Sequence, residues 1–105
     1  LFPGRRPEEG FEVTAKLDGL RAEIDALDGK IVALLAERLA VASRVAEIKR
    51  KEGIPVRLQD RIDAVLDRAE ALANENGAEP KAIRAIYEAL IETTCLYEEA
   101  RIGNS

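Results

Sequence analysis

The chain has 105 residues and a net charge of −4, so it fits one small domain whose overall charge does not point to nucleic acid. It contains no histidine and one cysteine, Cys95, which excludes Ser-His and Cys-His catalysis and argues against a transition-metal site. A lone cysteine and the lack of an apolar run near the roughly 20 residues of a membrane span favour the reducing cytoplasm. We therefore expect no cofactor, no metal, and no nucleic-acid or membrane partner.

The N-terminal residues 1–12 carry two prolines, two glycines and several charges, which predicts a flexible arm before a helical domain at 13–105. A first helix is predicted to begin near Thr14, a suitable N-cap, and to end at Gly53 and Pro55 after about 38 residues. Its apolar residues recur every three or four positions in heptad spacing. They are Leu17, Leu20, Ile24, Leu27, Ile31, Leu34, Val41, Val45 and Ile48.

Two shorter helices are predicted to follow, one from about Leu58 to Asn74 and one from Pro80 to about Arg101. The fold class is therefore all-α, with one long and two short helices per chain. Because each short helix is about half as long as the first, neither can cover its whole apolar stripe when folded back. A second, antiparallel copy would cover the remainder, which predicts a symmetric homodimer.

Arg38 occupies a position in the core column of the first helix where the apolar pattern calls for Leu or Ile. Burying a guanidinium costs several kcal/mol unless an anion meets it. Lys49 lies eleven residues later on nearly the same side, and Arg57 and Arg61 open the second helix. These cations are predicted to gather where the first two helices meet. Considered alone, Arg38 could equally form a core ion pair, and Lys49 could belong to a solvated helix end.

The third helix continues its inner stripe to Thr94 and Glu98. Glu98 is interpreted either as an ion-pair partner of Arg38 or Arg61, or as a proton-bearing group in a pocket. Arg21 could be a surface residue paired with Asp25, or could reach the cluster from the partner chain of an antiparallel dimer. The resulting pocket suits a small dicarboxylate and chemistry that depends on shape and electrostatics alone.

The sequence "LRAEIDALDGKIVALLAERLAVASRVAEIKRKEGIPV" at residues 20–56, followed by Asp60 and Arg61, resembles the all-helical chorismate mutases, especially their short bacterial form. The resemblance extends from about Leu17 to Ala100. It implies an intertwined dimer of three-helix chains that rearranges chorismate to prephenate, a step toward Phe and Tyr, without covalent catalysis or a cofactor.

The resemblance also implies roles for single residues. Arg38 and the partner's Arg21 would bind the two substrate carboxylates, and Lys49 would donate to the ether oxygen and to a carboxylate. Arg61 would line the pocket mouth, and Thr94 would form a polar wall. The expected catalytic residues are Lys49, Glu98 and Arg38, and the expected substrate-binding residues are Arg21 of the partner, Arg38, Lys49, Arg57, Leu58, Arg61, Ile62, Thr94 and Glu98.

Three positions depart from the bacterial pattern. Glu98 replaces the usual Gln that donates to the ether oxygen, so it would have to be protonated, as in fungal members that also carry Glu. Ile62 and Leu58 replace acidic residues, which affects recognition of the ring hydroxyl. Relatives acting on isochorismate or 4-amino-4-deoxychorismate share the apolar residue after Arg61, and aminodeoxychorismate mutases tend to share the Glu.

Chorismate mutase is therefore the first interpretation, and 4-amino-4-deoxychorismate mutase or isochorismate-pyruvate lyase is the alternative. The lyase fits less well because it usually keeps Gln at the position of Glu98. An interpretation of another class is a non-catalytic helical dimerisation or regulatory module. Arg38 argues against that module, because a plain coiled coil gains nothing from a cation in its core column.

Overall fold

The computed structural model describes residues 7–103, with side chains from residue 13 onward, and every regular element in that range is an α-helix. The elements are α1 (Pro7–Glu52), α2 (Gln59–Glu75) and α3 (Pro80–Gly103). The prediction of an all-α chain with one long and two short helices is confirmed. Among the described residues, no helix is both long enough and apolar enough to cross a membrane.

The helix boundaries agree with the predictions to within two residues except at the start of α1. The predicted start near Thr14 is wrong, because α1 already includes Pro7. Proline suits the first turn of a helix, and the acidic Glu8 and Glu9 that follow it favour the positive end of the helix dipole. Residues 1–6 of the predicted arm lie outside the described residues.

Two glycines in the left-handed region end the first two helices. Gly53 has φ of 67°, and the turn there lets the amide of Ile54 donate to the carbonyl of Lys49 at 2.9 Å. Gly77 has φ of 69°, and the amide of Ala78 donates to the carbonyl of Ala73 at 2.8 Å. A side chain with a Cβ would be strained at either position. These turns therefore fix where α1 and α2 end.

The chain divides into two compact units, one up to Glu37 and one from Arg38 onward. In the second unit α2 packs against α3. Its buried apolar core is built mostly from small side chains, which let helices approach closely. The buried residues are Ala42, Ala46, Leu66, Ala69, Ala73 and Cys95.

The first unit is helical throughout its described length and exposes its apolar side chains. The residues that carry the heptad pattern are between 42% and 64% exposed. A contiguous apolar patch of this kind is rare on monomeric proteins and marks an interaction surface. The exposed residues are Leu17, Leu20, Ile24, Leu27, Ile31 and Leu34.

Candidate active site

A cavity of about 430 Å³ lies within the second unit, where α1, α2, α3 and the connection between α1 and α2 all contribute side chains. Most of its wall is apolar, so water is largely replaced by hydrocarbon and electrostatic interactions inside it are strengthened. The charged and polar lining residues are Arg38, Lys49, Arg61, Thr94 and Glu98, and the others are Val41, Ala42, Val45, Val56, Leu58, Ile62, Val65, Ile91 and Cys95.

Lys49 is fixed by two acceptors from different elements. Its Nζ donates to the carbonyl oxygen of Val56 at 2.8 Å and to Oε1 of Glu98 at 3.1 Å. The Lys49 and Glu98 side chains are 15% and 9% exposed, so this ion pair is shielded from water. An ammonium carries three hydrogens, which leaves one for a ligand in the cavity. The pair confirms that Glu98 meets a cation, although that cation is Lys49 rather than Arg38 or Arg61.

Arg38 reaches the cavity without a carboxylate partner among the described residues. Its Nη1 donates to Oγ1 of Thr94 at 2.9 Å, and the Thr94 hydroxyl in turn donates to the carbonyl of Leu90 at 2.7 Å. The predicted alternative of a core ion pair for Arg38 is therefore wrong within the part of the chain that the structure describes. Arg61, also without an ion-pair partner in that part, lines the same cavity. Both guanidinium groups keep charge available for an anion.

Leu58 and Ile62 both line the cavity, as their positions at the start of α2 predicted. Leu58 is the N-cap residue of α2 and makes no side-chain capping bond, although polar residues are preferred there. Its side chain contributes to the apolar wall instead. The cavity therefore has no acidic group at these two positions.

Arg57 differs from its predicted placement, because it does not line the cavity. Its guanidinium donates to Glu92 and Glu99 of α3 on the outer side of the connection, and its side chain is 41% exposed. The hydrogen bonds that Arg57 donates to Glu92, first, and to Glu99, second, raise the pKa of Arg57 further above its ordinary range. The same bond to Arg57 lowers the pKa of Glu92. These carboxylates direct Arg57 away from the other cations.

Arg21 belongs to the first unit and is 65% exposed. Its Nη1 lies 3.7 Å from Oδ1 of Asp18, three residues earlier on the same helix. The predicted surface partner, Asp25, is therefore wrong, although a weak intrahelical ion pair of the expected kind is present.

A sequence model described as "Chorismate mutase type II" matches residues 20–99 of the chain. The chain belongs to the type II chorismate mutase family. Its members are isomerases, and the missing His and nucleophile motifs are consistent with that chemistry.

The relatives of this chain do not all carry the same name. The chain is similar to a 4-amino-4-deoxychorismate mutase of Streptomyces pristinaespiralis, with 33% identity over 98% of this chain and 81% of that protein. It is 32% identical to the Streptomyces venezuelae protein of the same name, over 80% of this chain and 82% of that one. It is also 39% identical to a chorismate mutase of Methanocaldococcus jannaschii, over 73% of this chain and 78% of that protein.

The structure adds site features that the family pattern did not suggest. The carbonyl of Val56 holds Lys49, and Cys95 joins the wall, where burial raises the pKa of its thiol. A second cavity of about 180 Å³ shares Arg38 and Arg61 with the first and adds Arg68. The spacing of seven residues between Arg61 and Arg68 was the available sequence signal, since it places both on one face of a helix.

Removing Arg38 and removing Lys49 should have different effects on the free energy of unfolding. We expect Arg38→Ala to leave the free energy of unfolding unchanged or to raise it by up to about 1 kcal/mol, because no carboxylate is left unpaired. Lys49→Met should lower it by about 1–3 kcal/mol, because the Glu98 carboxylate stays buried without its partner. Urea denaturation measures both, and the Lys49→Met, Glu98→Gln double variant should recover part of the loss. A loss of several kcal/mol in Arg38→Ala would restore the ion-pair interpretation.

Proposed function

We propose that the chain catalyses the Claisen rearrangement of chorismate to prephenate. The observation that carries this proposal is the Arg38 guanidinium, which reaches an apolar cavity without a carboxylate partner among the described residues. A dianionic substrate would supply the missing negative charge. Membership of the type II family supports this reaction, and location in the cytoplasm remains a prediction.

Each polar group would have a separate role. Arg38 would bind one substrate carboxylate, and the third hydrogen of the Lys49 ammonium would go to the ether oxygen. Negative charge builds on that oxygen as its bond to carbon breaks, so donation strengthens in the transition state. Oε1 of Glu98 would keep accepting from Lys49, and a proton on its other oxygen, Oε2, would be needed for Glu98 to act as the second donor. Arg61 would line the entrance. Since Lys49 already has two fixed acceptors, little reorganisation would be needed.

A second copy of the chain would complete this site. The first unit exposes a continuous apolar stripe that includes Leu20, Ile24, Leu27 and Ile31, and burying this stripe against itself suits an antiparallel homodimer. The partner's Arg21 would then bind the second substrate carboxylate. The weak, exposed contact of Arg21 with Asp18 would cost little to break.

A second candidate substrate is 4-amino-4-deoxychorismate. The apolar Leu58 and Ile62 offer no acceptor to the ring hydroxyl of chorismate, so they give that substrate no advantage over its amino analogue. The two Streptomyces relatives bear the name of the amino-substrate enzyme. Moving the ammonium group of the amino analogue from water into these apolar surroundings costs more free energy than moving the hydroxyl group of chorismate. Chorismate is therefore the first candidate.

Both substrates should be tested side by side with purified protein. We expect turnover of chorismate to prephenate, followed by its ultraviolet absorbance, and a loss of kcat/KM of about 1,000-fold or more in Arg38→Ala. Arg84→Ala, which removes an arginine on the surface between α2 and α3, is the matched control and should keep its activity. Turnover of the amino analogue alone would favour the second candidate, and turnover of neither would contradict the proposal.

Replacing Glu98 with glutamine tests its proposed role as a donor. A carboxylate cannot donate a hydrogen bond, whereas the side-chain amide of Glu98→Gln can. We therefore expect Glu98→Gln to turn over chorismate with a kcat at least equal to that of the wild type. A kcat about tenfold lower in Glu98→Gln would refute the donor role.

Mixing two inactive variants tests the shared site. A dimer of one Arg21→Ala chain and one Arg38→Ala chain has one site with both arginines intact. Random mixing should therefore restore about a quarter of wild-type activity, since half of the dimers are mixed and each has one intact site of two. If the mixture stays inactive while each variant alone remains folded, the partner's Arg21 does not contribute.

A further inference from the structure

The connection between α1 and α2, residues 53–58, touches the cavity on its inner side. The carbonyl oxygen of Val56 accepts from Lys49 Nζ at 2.8 Å, and the side chains of Val56 and Leu58 both line the wall. The position of this short segment therefore sets one of the two acceptors that hold Lys49. Irregular connections are usually the mobile parts of a fold, so something must fix this one.

Arg57 lies between these two lining residues and fixes the outer side of the connection. Its guanidinium makes four hydrogen bonds to two carboxylates of α3. Two go to Glu92, from Nη1 at 2.6 Å and from Nη2 at 3.1 Å. Two go to Glu99, from Nε at 3.1 Å and from Nη2 at 3.2 Å. Paired bonds of this kind define direction as well as distance.

The contacts on the inner and outer sides of the connection are linked in a ring that begins and ends at Lys49. Lys49 bonds to the carbonyl of Val56, Val56 is followed by Arg57, and Arg57 bonds to Glu99. Glu99 follows Glu98, which bonds back to Lys49 at 3.1 Å. The two acceptors of Lys49 are the Val56 carbonyl and Glu98. Each is followed in the chain by a residue of the outer ion pair, Arg57 after Val56 and Glu99 after Glu98. Displacing Arg57 would release the Val56 carbonyl and change where the Lys49 ammonium points.

We propose that Arg57 is a positioning residue, which aligns Lys49 for the rearrangement by clamping residues 53–58 to α3. It acts on the reacting atoms only through Lys49 and contacts no cavity itself. The kinetic part of this inference rests on the proposed function, and the structural part does not.

A purely stabilising role predicts a different outcome. Exposed ion pairs contribute little to stability, and Arg57, Glu92 and Glu99 are 41%, 55% and 43% exposed. Arg84 offers a close comparison, because it also bridges carboxylates across a helix interface, those of Asp67 and Glu70. It lines neither cavity. If Arg57 served stability alone, its removal would resemble the removal of Arg84.

The experiment compares Arg57→Ala, Arg57→Lys and Arg84→Ala by kinetics and by amide hydrogen exchange. In Arg57→Ala we expect kcat to fall about tenfold with KM changed by less than about threefold, because misplaced Lys49 weakens only the transition state. Exchange of the Ile54 amide, which donates to the carbonyl of Lys49, should accelerate about tenfold in the same variant. Arg57→Lys should recover part of both effects, and Arg84→Ala should show neither.

Other outcomes would overturn the inference. A higher KM with unchanged kcat would mean that Arg57 binds substrate directly, and effects equal to those of Arg84→Ala would mean a structural role only. If the wild type turns over neither chorismate nor its amino analogue, the proposed function fails separately. The hydrogen-exchange measurement then tests the clamp by itself, since protection of the Ile54 amide that survives Arg57→Ala would contradict it.

Discussion

Positive charge placed in an apolar cavity is the constraint on which the second unit depends. The fold treats its cations in two ways. Lys49 is neutralised by Glu98 and fixed by the carbonyl of Val56, so it is oriented at little electrostatic cost. Among the described residues Arg38 has no carboxylate partner and donates to the neutral hydroxyl of Thr94. Its charge therefore remains to be balanced, which is the physical basis of the proposed binding of a dianion.

The helical architecture brings the cavity-lining residues together. The small buried residues Ala69 and Ala73 lie on α2, which packs against α3, and the left-handed turn at Gly53 returns the chain toward Lys49. Cavity-lining residues then come from three helices and one connection without any strained non-glycine backbone among the described residues. A reaction that needs only shape and fixed charges suits such a rigid site.

Apolar spacing predicted the three helices and the unusual position of Arg38, because its period identifies a helix and the face that carries the apolar side chains. It could not predict the placement of Arg57. That placement depends on Glu92 and Glu99, which lie 35 and 42 residues away in the chain. The start of α1 was missed because Pro7 and Gly10 suggest a loop, although proline also suits a first helical turn. Apolar spacing therefore does not predict ion pairs between residues far apart in the chain. It also does not decide whether a terminal proline belongs to a loop or to the first turn of a helix.

The most direct test of the account is calorimetric binding of a rigid dicarboxylate that mimics the cyclic transition state. The comparison ligand is the same molecule with one carboxylate converted to a neutral amide. If the unpaired cations of the cavity bind a dianion, the dicarboxylate should bind at least about 100-fold more tightly than its monoamide. Its affinity should also decrease as the salt concentration rises. Equal affinities for the two ligands would contradict the account.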